Sequence, residues 1–238
     1  PGLAIEGRPA LEWIAAALAE LELLPEVRVL SRTTAFGYYA DNWLGLVERI
    51  GDHIPAYDLP HGTPRHRLWR VRARQVVLAT GSIERGLVFA ENDRPGIMMA
   101  GAARAYLHRW GVKVGERVLV ATNNDSAYAT ALDLVEAGAH VPAIIDVRPD
   151  PDGPLVGRAR AAGIIVLANH TIAGTVGRHR IEEVLAMPLD PSGRGVRRGT
   201  ETTIRCDALA MSGGWSPTLN LHSHARNRLR WDAERTIF

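Results

Sequence analysis

Arg117-Val-Leu-Val-Ala-Thr-Asn-Asn-Asp-Ser-Ala-Tyr128 is the stretch that decides the fold. Its apolar run, 117–120, ends in a polar turn and passes at Asp125 into a helical pattern that reaches residue 137 and stops at Gly138. Residues 141–145 read as a second strand, 155–162 as a second helix and 164–167 as a third strand. Strand, helix, strand, helix, strand in that order is the mononucleotide-binding half of a doubly wound sheet. Three short strands follow, at 171–176, 181–187 and 202–206, with a hairpin turn at Asp190-Pro-Ser-Gly-Arg-Gly195.

Working outward, Gln75-Val-Val-Leu-Ala-Thr-Gly-Ser82 reads as a buried strand opening onto a ligand crevice. There Thr80 offers a hydroxyl, and Gly81 lets the backbone pass close to a ligand. Asp207-Ala-Leu-Ala-Met-Ser-Gly-Gly214 repeats the design. Two such strands bracketing a complete βαβ block predict an α/β fold of two nested Rossmann-like domains. The outer one is assigned to residues 1–96 and 207–238 and is read as truncated at its N-terminus. The inner one is assigned to residues 97–206. Ahead of them, residues 8–24 read as an amphipathic helix stopped by Pro25, and 27–31 as a strand. Residues 35–39, 43–50 and 67–73 read as an antiparallel meander, and 101–110 as a helix closed by Gly111.

Composition narrows the function classes. Of 238 residues, 46% are hydrophobic and 23% charged, ordinary for a globular protein. No apolar run approaches the ~18 residues of a membrane span, and the opening Pro1-Gly-Leu-Ala has no leader-like basic region. These features predict a cytoplasmic protein without a membrane partner. Lone Cys206 excludes an intramolecular disulfide and a CxxC redox pair. Net charge is only +2, and the densest basic runs, 65–74 and 194–198, alternate with apolar residues or adjoin glycine. They read as solvated surface rather than a nucleic-acid stripe.

The inner block can be matched to the phosphate-binding G-x-G-x-x-G/A over Thr122-Asn-Asn-Asp-Ser-Ala127. Ala127 satisfies the third position. Thr122 and Asn124 replace the first two glycines, and Asn tolerates the left-handed turn better than most residues. Asp125, or Ser126 beside it, is expected to cap the helix, and the Asp125 carboxylate to repel an anion there. Asp146 ends the second strand where an acid holds an adenosine ribose hydroxyl. Two readings stay open: the inner site has lost dinucleotide binding, or NAD sits on Asn123, Asn124 and Asp146. Arg148 would favour a 2′-phosphate, but the adjacent Asp argues for NAD over NADP. Histidines 53, 61, 66, 222 and 224 lack metal-site spacing, and no nucleophile elbow or general base stands out.

Longer motifs carry a family resemblance. Val77-Leu-Ala-Thr-Gly-Ser-Ile-Glu-Arg-Gly86, Glu91-Asn-Asp-Arg-Pro-Gly-Ile-Met-Met-Ala-Gly101, Ala121-Thr-Asn-Asn-Asp-Ser-Ala-Tyr128, Arg32-Thr-Thr-Ala-Phe-Gly-Tyr38 and Gly213-Gly-Trp-Ser-Pro-Thr-Leu-Asn-Leu-His-Ser223 resemble the alpha subunits of heterotetrameric sarcosine oxidases. The wider relatives are flavoproteins of the pyridine-nucleotide-disulfide-reductase type. The resemblance implies a middle portion of a subunit, inactive alone, in an enzyme that oxidatively demethylates sarcosine to glycine. It implies beta, gamma and delta partner subunits, FAD and FMN carried mainly by or against the beta subunit, and NAD on the alpha chain. Family NAD would be expected on the first nucleotide domain, here represented by Ala35, Thr80 and Gly81. Alpha chains of opine oxidases, amino-acid dehydrogenases and cyanide-forming glycine oxidases share the architecture. A docking module without nucleotide is the alternative from another class.

Overall fold

The computed structural model describes residues 4–193 and 195–238. The opening Pro1-Gly-Leu and Arg194 of the basic run and hairpin loop lie outside the described residues. The chain divides into two compact units, Pro1–Thr80 with Leu219–Trp231, and Gly81–Thr218 with Asp232–Phe238.

In the first unit a short ribbon, β1 (Ala4–Ile5) and β2 (Arg8–Pro9), leads into α1 (Ala10–Glu22). The helix ends close to the Pro25 stop, but it has no buried residue: Leu11, Ile14, Leu18 and Leu21 are all exposed. The meander forms as read, with β3 (Thr33–Tyr39), β4 (Trp43–Arg49) and β5 (His66–Arg72) paired antiparallel in sequence order. Two predicted strands are absent. Residues 27–31 and 75–81 form no strand, and Val77 is 90% exposed. A strand is a pairing, and neither apolar run has a ladder partner among the described residues, so its local pattern has nothing to act on.

The second unit opens with β6 (Ser82–Glu84) and β7 (Ile97–Met99), followed by α2 (Ala100–Trp110), which Gly111 closes in the left-handed conformation at φ 64°. The βαβαβ block is β8 (Val118–Thr122), α3 (Ser126–Glu136), β9 (Ala143–Asp146), α4 (Pro154–Ala161) and β10 (Ile165–Ala168). A three-stranded antiparallel sheet, β11 (His170–Val176), β12 (Glu183–Pro188) and β13 (Thr202–Arg205), comes next. Then β14 (Ala208–Ser212) runs through Gly213-Gly214 into β15 (Trp215–Pro217), which pairs with β6. The parallel sheet has the order β10-β9-β8-β14-β7. Its winding therefore reverses between β8 and β14, the switch point of a doubly wound fold. The chain returns to the first unit in α5 (Asn220–His224), where His224 stacks against Tyr39 at 6.3 Å.

The units divide elsewhere than at the 96/97 and 206/207 boundaries read from sequence. β14 bonds to β8 from Ala208 to Ser212 and to β7 through Leu209–Met211, which draws β14 into the inner sheet.

Alternation along the parallel strands builds two cores. Val118, Val120, Ile144, Ala208 and Ala210 face α2, α3 and α4, packing on Tyr128, Leu134 and Val156. Leu119, Ala121, Ile145 and Leu209 face the antiparallel sheet, against Ile172, Val184, Ala186 and Cys206. The Cys206 thiol is pushed up to about 12, by burial first and then by the nearby Asp207 charge. On the helical layer, Asp133 of α3 is nearly buried and accepts from Arg104 Nε at 2.5 Å and pairs with His108 Nε2 at 2.7 Å, both on α2.

Leu119 is fully buried, so Leu119→Ala is expected to cost about 2–5 kcal/mol, read by denaturant unfolding at an unchanged m-value. Burial pushes the Asp133 carboxyl up, but hydrogen bonds and charge from His108 and Arg104 outweigh it, and its pKa lies below the ordinary value. A carboxyl lowered by folding contributes stability above its unfolded pKa of about 3.9, and loses that contribution as pH falls through the folded value. Asp133→Asn should therefore weaken the acid dependence of stability below about pH 4; a titration identical to the parent's would refute this role.

Candidate functional site: the crevice at the carboxyl ends of β8 and β9

Six of the predicted site residues come together where β8 and β9 end. Thr122 closes β8, and its hydroxyl accepts from the Asn124 N–H at 3.0 Å and donates to the Asn124 carbonyl at 2.9 Å. This tight turn does the work expected of the first glycine. The Asn123 N–H donates to the Ser212 carbonyl at 3.3 Å, and its amide to the Gly213 carbonyl at 3.2 Å. Asn124 folds across the turn, its amide donating to Asn123 Oδ1 at 3.0 Å and Ser212 Oγ at 3.1 Å.

The cap differs from expectation. Asp125 makes no side-chain cap bond; Asn124 Oδ1 instead accepts from the Ser126 N–H at 3.0 Å and from Ser126 Oγ at 2.5 Å. The reason lies just past the end of β9. Arg148 Nη1 donates to Asp125 Oδ1 at 2.7 Å, pulling that carboxylate away from the helix terminus. Ser126 Oγ also accepts from the Trp215 indole N–H at 2.9 Å, a partner outside the phosphate-loop pattern.

Asp146 is 0% exposed. Its oxygens accept from the Tyr128 hydroxyl at 2.7 Å, the Arg148 N–H at 2.9 Å, and Arg148 Nη2 at 2.7 Å and Nε at 3.1 Å. Burial and this carboxylate hold the Tyr128 phenol above its ordinary range, and the Asp146 hydrogen bonds raise the Arg148 guanidinium further. Tyr128 was legible in principle. It lies on the inward face of α3 with Ala127, Ala131 and Leu134, and a phenol on a buried face requires a partner.

The other expected cofactor residues lie elsewhere. Ala35 is a half-buried residue of β3 opposite Leu46. Thr80 is exposed and ends the first segment of its unit; Gly81 opens the other unit, exposed and at φ 68°, its carbonyl accepting from the Thr218 N–H at 3.0 Å. Among the described residues no group of three His, Cys, Asp or Glu is arranged to hold a metal, and no helix is long and apolar enough to cross a membrane.

No family profile matches the chain. Curated relatives do. The sarcosine oxidase alpha subunit of Rhizobium meliloti (strain 1021) is 42% identical over 236 residues, 98% of this chain. Those of Corynebacterium sp. strains P-1 and U-96 are 40% and 39% identical over 97% of it. The chain belongs to the family of sarcosine oxidase alpha subunits. It spans 22–24% of the length of these alpha subunits. Among solved structures, L-proline dehydrogenase from P. horikoshii aligns over 97% of this chain and 37% of its own, at TM-score 0.58 and 20% identity. Bacillithiol disulfide reductase from Staphylococcus aureus aligns over 98% of this chain and 64% of its own, at TM-score 0.59 and 15% identity. At such identities they establish the fold alone: α/β, with a parallel sheet.

Removing a cation from a buried carboxylate costs more than removing one neutral donor. Arg148→Ala is expected to destabilise by about 3–5 kcal/mol and Tyr128→Phe by about 1–2 kcal/mol. Equal losses in thermal or denaturant unfolding would show that Arg148 is not the main support of Asp146.

Proposed function

We propose that the chain is the nucleotide-fold portion of the alpha subunit of a multi-subunit flavoenzyme that oxidatively demethylates sarcosine to glycine. The observation that carries this is the 39–42% identity to sarcosine oxidase alpha subunits across nearly the whole chain. In this reading the segment supplies a scaffold and a nucleotide contact, and the redox chemistry belongs to flavin (FAD and FMN) held mainly by, or against, the partner beta subunit. Beta, gamma and delta subunits complete a cytoplasmic assembly. NAD is the nucleotide assigned to the alpha chain. A network that engages Asp125 and Asp146 internally supports placing the chemistry outside the segment.

The test uses the full-length subunit assembled with its partners. Sarcosine should yield glycine with flavin reduction, and L-proline, glycine and opines should reduce the flavin far more slowly. Calorimetry of the assembly with NAD, FAD and ADP distinguishes a nucleotide-binding subunit from a pure docking module, for which no heat and no rise in melting temperature are expected. Turnover preferring L-proline or an opine would overturn the substrate assignment.

A further inference from the structure

Placing the nucleotide on the alpha chain leaves two nested folds as candidates, and the inner one carries its own answer. A dinucleotide at a doubly wound switch point needs free N–H groups at a helix start, small residues that let backbone approach the pyrophosphate, and a carboxylate for the ribose. We propose that the crevice at the ends of β8 and β9 is closed to dinucleotides by its own side chains, with Arg148 as the specificity-determining residue. This deepens the reading of a nucleotide-associated subunit by excluding one of its two folds, and it holds whatever the amine substrate.

Internal partners engage groups of all three kinds. The N–H groups of Asn123, Asn124 and Ser126 donate to Ser212, Thr122 and Asn124. The Asn124 side chain lies across the turn that a glycine would leave open. Above the helix start, the Trp215 indole is held by Ser126. The Asp146 carboxylate, the natural ribose acceptor, is buried and bonded by Tyr128 and Arg148. Space is spent as well: Asp125 Oδ2 lies 2.7 Å from where a Cβ on Gly153 would stand, so the network reaches the turn before α4.

Charge points the same way. Asp125 and Asp146 against Arg148 leave the cluster with one net negative charge, which opposes a polyphosphate. Arg148 cannot readily swing out to recruit a phosphate. Three of its side-chain nitrogens bond the two carboxylates, and leaving would strand Asp146 without its cation.

The test is photolabelling with 8-azido-ADP on the full-length subunit in its assembled complex, followed by peptide mapping. In the parent protein, ADP-competed label is expected to be absent from residues 118–153. In Asp125→Gly/Arg148→Ala, which removes the latch and frees Asp146, label within those residues should rise at least tenfold. ADP-competed label within 118–153 of the parent would overturn the proposal. So would a double variant with parent-like near-ultraviolet circular dichroism and no gain of label. Should the double variant not fold, the parent map decides by itself: label outside 118–153, or none, upholds the closure. Sarcosine turnover is measured separately, so a wrong substrate assignment leaves the map unaffected.

Discussion

Taking the Asp146 carboxylate out of water sets a demand that the surrounding chain must answer. An ionised carboxyl in a low-dielectric interior is tolerable only with a cation and full hydrogen bonding. Arg148, two residues along the same strand exit, supplies the cation, and the guanidinium fork suits a bidentate grip. Tyr128 supplies the remaining donor from α3. Because Arg148 also reaches Asp125, one side chain ties the exit of β9 to the turn after β8. The position of α3 on the sheet, and with it the shape of the crevice, follows from that tie.

The frame of the inner fold does not depend on a bound ligand. The sheet order, the switch point and the βαβαβ frame are all present, since these depend on burying two apolar faces and not on the cofactor. What differs from a phosphate-binding design is the turn, where the Asn124 side-chain oxygen accepts from the Ser126 N–H and hydroxyl that an anion would otherwise engage. Hydrogen-bond accounting at a helix start is strict enough that one set of partners displaces another.

Much of this was legible in the residues. Every helix and strand of the βαβαβ block, and α2 ahead of it, lies within two or three residues of its reading, because period-two and period-3.6 patterns, Gly111 and Gly138 mark the elements locally, whereas β7 has no such reading. Residues 27–31 and 75–81 read as strands and form none, because a strand exists through its neighbour, and an apolar run cannot announce whether one is present. In the site, Asp146 could be placed by its distance from the turn. Arg148 could not, since spacing alone does not tell whether a guanidinium faces solvent or folds back on its own strand. Trp215 was further from reach, lying 89 positions from the serine that it meets.

Cys206 closes the account from the opposite face of the sheet. Packed between β14 and the antiparallel layer, and shifted away from thiolate formation, it is a poor nucleophile at neutral pH. The chain accordingly offers almost no background to maleimide chemistry. A cysteine introduced at the mouth of the crevice would carry a spectroscopic reporter without competition from the native thiol.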